Sequence, residues 1–196
     1  MKKIKIFFTL IFIFLSTNVY SFEKQAEDFI LKTTGNAKKI LLDPKINELQ
    51  KRKYLESLSL ETVDVEGLAK YTLGEEIKKL NNKQISEYVD TFKVFFSKNI
   101  SNKLRDYSDQ AVVISGSKKI SENYVLVNSK IVSSKDKQEI IVDWRVFLIN
   151  NKLMIRDLVV EGLSLARTQK EEFSSIIANK GFEGLIANLK NYISKN

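Results

Sequence analysis

The spacing of apolar side chains changes twice along this chain, and those two changes restrict the folds open to it. From residue 22 to residue 107 apolar residues recur every three to four positions; from 110 to 161 they recur every second position; from 165 the helical spacing returns. Strands joined by short connections pair with their neighbours, and a sheet that is apolar on one face has to be covered. The expected class is therefore α+β, with helices packed around a curved antiparallel sheet of about four strands.

In the first block Phe22, Ala26, Phe29, Ile30, Thr33, Ala37, Ile40 and Leu41 share one helical face. That helix ends before Asp43-Pro44, because a residue preceding proline is pushed out of the α region. A second helix is expected from about Ile46 to Leu58, with Leu49, Tyr54, Leu55 and Leu58 as its apolar positions. Asp64 can cap a short third helix whose Val65, Leu68, Ala69 and Leu73 stripe stops at Gly74. Asn81 and Gln84 have capping-box spacing. They open a long fourth helix with Ile85, Tyr88, Val89, Phe92, Phe95, Phe96, Ile100, Leu104 and Tyr107 on one face.

Four strand segments follow: Ala111–Ser115, Tyr124–Val132, Glu139–Leu148 and Leu153–Glu161. Gly116-Ser117-Lys118, Ser133–Lys137 and Asn150-Asn151 supply turn chemistry between them. Ile140, Val142, Trp144, Val146 and Leu148 fall on one face of the third strand, opposite Asp143 and Arg145. Two C-terminal helices, Leu165–Asn179 and Glu183–Ile193, are separated by a break at Gly181.

The N-terminus has the layout of a secretory leader. Lys2, Lys3 and Lys5 precede an apolar run from Ile6 to Leu15, and Val19-Tyr20-Ser21 offers a cleavage site after Ser21. The run falls short of the roughly 18 apolar residues a membrane span needs. Residues 1–21 are expected to be removed and residues 22–196 to form one domain of ordinary size in the periplasm, not an integral membrane protein. The leader carries three lysines and no acid, so its loss takes the formal net charge from +8 to +5. Export argues against nucleic acid as the partner of that positive charge, and no arginines interleaved with stacking aromatics are present.

The chain holds no histidine and no cysteine. That removes the usual general base, the usual zinc ligands, every Ser-His or Cys-His nucleophile pair and the acylation site of a lipoprotein. Gly162-Leu163-Ser164-Leu165-Ala166 partly matches the hydrolase elbow, but without a histidine Ser164 reads as the cap of the next helix. Gly181-Phe182-Glu183-Gly184 has the spacing of an RNA-binding loop, with an acid where phosphate would sit. Asp143, Asp157 and Glu161 stand near Arg145 and Arg156, so cross-strand ion pairing explains them better than catalysis does. No catalytic residue, metal site or cofactor is expected.

Several strings, in one order, resemble a known family. Val63-Asp64-Val65-Glu66-Gly67-Leu68-Ala69-Lys70-Tyr71-Thr72-Leu73-Gly74 comes first, then the aromatic helix Phe92–Tyr107 and Val142-Asp143-Trp144-Arg145. Asp157-Leu158-Val159-Val160-Glu161-Gly162-Leu163-Ser164-Leu165 follows, with Phe173 eight residues on and Gly181-Phe182-Glu183-Gly184-Leu185-Ile186 after it. In this order behind a leader, the chain resembles the MlaC family, the periplasmic phospholipid-binding components of intermembrane lipid transport, also described as toluene-tolerance auxiliary proteins. It departs from the family at Leu153, where a tryptophan is frequent, and at Gln169-Lys170, where Tyr-Arg is frequent.

The resemblance implies an apolar cavity that takes phospholipid acyl chains and leaves the headgroup near its mouth. It also implies exchange with an inner-membrane lipid ABC transporter complex and an outer-membrane lipoprotein–porin complex. Set against the aromatic stripe, the period-two face gives an expected lining of Val112, Ile114, Val125, Val127, Ile140, Val142, Trp144 and Val146. Phe92, Phe96 and Leu163 join it from the helical side. The competing readings are an exported interaction module that holds no lipid and a periplasmic hydrolase using carboxylates such as Asp143 and Glu161.

Overall fold

The computed structural model describes residues 21–105, 110–133 and 139–196. The expected leader as far as Tyr20, Tyr107 and the turn residues 134–137 lie outside the described residues.

Helix α1 (Phe22–Leu42) starts where the Ser21 hydroxyl accepts the Lys24 N–H at 3.2 Å, and it ends at Asp43, before Pro44. Helix α2 (Glu48–Thr62) starts later than its apolar positions suggest and runs a turn further. Asn47 and Gln50 form a reciprocal capping box, at 2.9 Å each way, which fixes the start. Past its end, Val63 pairs with Ile155 as a single parallel bridge, which ties the helical layer to the sheet. Asp64 caps α3 (Val65–Leu73) by accepting the Gly67 N–H at 3.1 Å. A 3-10 segment, Gly74–Lys79, then leads to α4 (Asn82–Leu104); the spacing did not foretell it. The capping box of Asn81 and Gln84 is present, at 3.0 Å in both directions.

The sheet is a meander in the order β1-β2-β3-β4-β5: Gln110–Ser121, Tyr124–Ser133, Glu139–Ile149, Lys152–Val160 and the two-residue Leu163–Ser164. It thus has five strands where about four were expected, the fifth being a short return that pairs Leu163 with Val160. Gly116-Ser117-Lys118 is not a turn. Ile114 stands opposite Ser129 and Gly116 opposite Asn128, so Ser115 is an extra residue in a bulge. The chain reverses later, at Glu122-Asn123. A glycine inside a strand run signals a bulge as well as a turn, and here the strand continues past it. Asn150 and Asn151 make the expected hairpin turn, with φ of 49° and 60°, the left-handed pair that suits right-twisted strands.

Helix α5 (Leu165–Lys195) bends at Gly181, whose φ of 69° and ψ of 178° interrupt the helical run where the break was expected. Its two halves close over α3 and α4, and α1 lies on the inner face of β1 and β2.

These layers produce two apolar clusters instead of one. In the helical cluster Phe92 is central, with ring contacts to Tyr88, Phe95, Phe96 and Phe173 at centroid distances of 5.8 to 6.2 Å. In the other, Ala26 and Ile30 of α1 pack on Val125, Val127, Val142, Trp144 and Val146 of the sheet. Val63 packs against both. Polar atoms inside them are satisfied, as burial requires. The Tyr88 hydroxyl bonds Thr72 Oγ1 at 2.7 Å, and burial pushes that phenol well above its ordinary pKa. The Trp144 indole donates to Ser129 Oγ at 2.8 Å, and that hydroxyl donates onward to the Val142 carbonyl at 2.9 Å.

Candidate functional site

A cavity of about 340 Å³ lies where the two clusters face each other. Helices α1 to α5 and the sheet line it, α3 through Leu68 alone. α1 contributes Thr33, Thr34 and Ala37; α2 contributes Leu55, Leu58, Ser59 and Thr62. α4 supplies Phe92, Phe95, Phe96, Asn99, Ile100, Lys103 and Leu104, the sheet supplies Trp144, Ile155 and Leu158, and α5 closes the space with Leu165 and Ala166. That volume is within the roughly 300–1,000 Å³ of small-molecule pockets, at the low end.

The helical walls are more apolar than their residue names suggest. Thr34 donates to the Ile30 carbonyl at 2.8 Å, Ser59 to Glu56 at 2.8 Å and Thr62 to Leu58 at 2.7 Å. Each hydroxyl turns back onto its own helix. What these residues then offer the space is carbon, with no donor left over to hold water.

Charge is confined to four lining side chains, Arg156, Asp157, Glu172 and Lys103. Arg156 Nε is 2.6 Å from Asp64 Oδ2, and its guanidinium stands 4.7 Å from the centre of the Phe147 ring. Asp157 is buried; it accepts Ser164 Oγ at 2.6 Å and Ala166 N–H at 2.9 Å, and Arg145 is 3.4 Å away. The Ser164 hydroxyl accepts the Arg167 N–H at 3.1 Å, so serine and aspartate together cap α5. This assigns Asp157 and Ser164 to structure. Replacing Asp157 by alanine strips the buried Ala166 N–H and the cap together. The expected loss is about 2–4 kcal/mol of unfolding free energy, read as a lower denaturant midpoint at unchanged m-value.

Of the residues expected in the lining, Phe92, Phe96 and Trp144 border the cavity. Val125, Val127, Val142 and Val146 are buried in the sheet cluster with α1, and Val112, Ile114 and Ile140 pack against that cluster. These strand residues face the inner side of the sheet as expected, with α1 packed on β1 and β2, while the sheet borders the cavity at Trp144, Ile155 and Leu158. Leu163 sits in β5 at the sheet edge, 69% exposed, outside the lining. The walls supplied by α1 and α2 were not anticipated. A signal existed in Leu55, Leu58 and Thr62, which recur at helical spacing, but nothing in the spacing says which neighbour that face meets.

Among the described residues, no group of three or more acids could hold a metal ion and no helix is long and apolar enough to cross a membrane. No curated protein matches the chain significantly. A solved phospholipid-binding protein from Ralstonia solanacearum, determined in complex with a phospholipid, shares the fold with a TM-score of 0.73. It is 19% identical, and the match covers 87% of this chain and 97% of that one. The family model described as MlaC protein matches residues 32–191, from the second half of α1 through the whole sheet to the last turns of α5, and the chain belongs to that family.

Proposed function

We propose that the chain is a periplasmic phospholipid carrier, exported by its leader and acting as a single lipid-binding domain over residues 22–196. The cavity between the two apolar clusters is the observation that carries this reading. Its walls are mostly apolar, and its four charged side chains are Lys103 in the last turn of α4, Arg156 and Asp157 in the middle of β4, and Glu172 in α5. The phospholipid bound by the Ralstonia protein supports the same use of the space here.

The physics sets what a carrier must do. Burying a methylene is worth about 0.8 kcal/mol, so two long acyl chains hide on the order of 20 kcal/mol of unfavourable hydration. Free lipid therefore does not cross water at a useful rate, and a protein that covers the chains also holds them. Release needs a partner that continues the apolar path, which is the place of the inner-membrane transporter complex and the outer-membrane lipoprotein–porin complex in this proposal. The cavity is small for two chains, so loading has to widen the space between the clusters. The lipid is cargo, and no cofactor is involved.

Purified protein lacking residues 1–21 is expected to carry one phospholipid in native mass spectrometry, or to gain one from phospholipid vesicles. Protein that neither retains lipid nor extracts it overturns the proposal and leaves the lipid-free interaction module.

A further inference from the structure

We propose that Lys103 receives the lipid phosphate and so fixes which way the lipid lies. This rests on the carrier reading above and concerns the headgroup. Of the four charged side chains on the lining, three are engaged. Arg156 is paired with Asp64, Asp157 is paired with Arg145 and caps α5, and Glu172 Oε2 accepts the Gln169 amide at 2.9 Å. Lys103 has no ion pair or hydrogen bond among the described residues.

The other usual receiver of phosphate, a helix N-terminus, is closed. α5 begins at the cavity, but its first free N–H groups point at the Asp157 carboxylate and the Ser164 hydroxyl. An approaching phosphate meets a negative charge there. That leaves the ammonium of Lys103, exposed at the last turn of α4, where a cation is also favoured by the helix dipole.

The same helix sets the direction of the tails. Phe92, Phe95 and Phe96 line the cavity from the middle of α4, Asn99 and Ile100 come next, and Lys103 lies beyond them on the same side. From Phe92 to Lys103 the axis advances about 16 Å at ~1.5 Å per residue. A lipid lying along this face has its phosphate at the C-terminal end of α4 and its chains running toward Phe92. Glu172, on the facing start of α5, is the anion that a phosphate here has to avoid.

The test compares the wild type with Lys103→Gln and Lys103→Arg, using vesicles doped with phosphatidylglycerol or with diacylglycerol of the same chains. The wild type is expected to retain the phospholipid about tenfold better than diacylglycerol. Lys103→Gln should lose about tenfold for the phospholipid alone, the loss of one charge-assisted hydrogen bond at a partly solvated site, and Lys103→Arg should restore it. Equal retention of phosphatidylglycerol by wild type and Lys103→Gln overturns the Lys103 assignment and leaves the carrier reading intact. An equal fall for both lipids overturns it too, since that reports damage to the cavity. A wild type that takes up neither lipid removes the carrier reading and this assignment with it.

Discussion

Replacing Ala37 and Thr62 together by phenylalanine is expected to reduce phospholipid uptake at least 100-fold without unfolding the protein. Both side chains border the cavity, one from α1 and one from α2, and both are half-buried. Thr62 also spends its hydroxyl on the Leu58 carbonyl, so its removal strands no other donor. Two added rings occupy space that acyl chains need. Filling a void gains dispersion contacts, while crowding costs about 1–3 kcal/mol. The two effects oppose each other, and for a chain of this size each kcal/mol moves the midpoint by about 2–4 °C. The melting temperature should therefore stay within a few degrees of the wild type. Uptake measured from phospholipid vesicles at matched folded concentration checks the prediction, and a filled variant that loads normally would place the lipid elsewhere.

Phe92→Ala should do the reverse, costing the fold more than the cargo. The ring is 1% exposed and touches four other aromatic rings, so its removal leaves a hole that its neighbours cannot close by small shifts. A buried phenylalanine replaced by alanine costs about 3–5 kcal/mol. That is a large share of the roughly 5–15 kcal/mol holding a domain together, and the expected midpoint shift is on the order of 10 °C. The variant that survives at low temperature keeps the α1, α2 and β4 walls, and per folded molecule it should still take up phospholipid. Together the two variants separate the cavity from the core around it. One blocks cargo in a stable protein, and the other weakens a protein that still has room.

The elements were legible because their causes are local. The α4 stripe, the Asn81–Gln84 box, the stop before Pro44 and the Asn150-Asn151 turn each depend on a few consecutive residues. The misread turn at Gly116 was local too, but ambiguous: glycine serves both bulge and turn, and pairing with Asn128 decides between them. The site was less legible because it is a relation between layers. Period two says that Val125, Val127, Val142 and Val146 share a face; it does not say that these four pack in a cluster with α1 while Trp144 of the same face borders the cavity. α2 was underrated for a chemical reason. Serine and threonine count as polar in a sequence, yet here their hydroxyls are turned into the helix and their carbon faces the space. Leu163 lies outside the lining for a geometric reason: it sits in the two-residue edge strand paired with Val160 and is largely exposed.

The most direct measurement places the tails. Protein loaded with a phospholipid carrying a photoreactive group midway along one acyl chain is irradiated, and the crosslinked peptides are sequenced. Crosslinks should fall on cavity walls such as Leu58, Phe96, Ile100 and Leu158. Crosslinks confined to exposed residues such as Val113 and Ile141 on the outer face of the sheet would contradict a site between the two clusters.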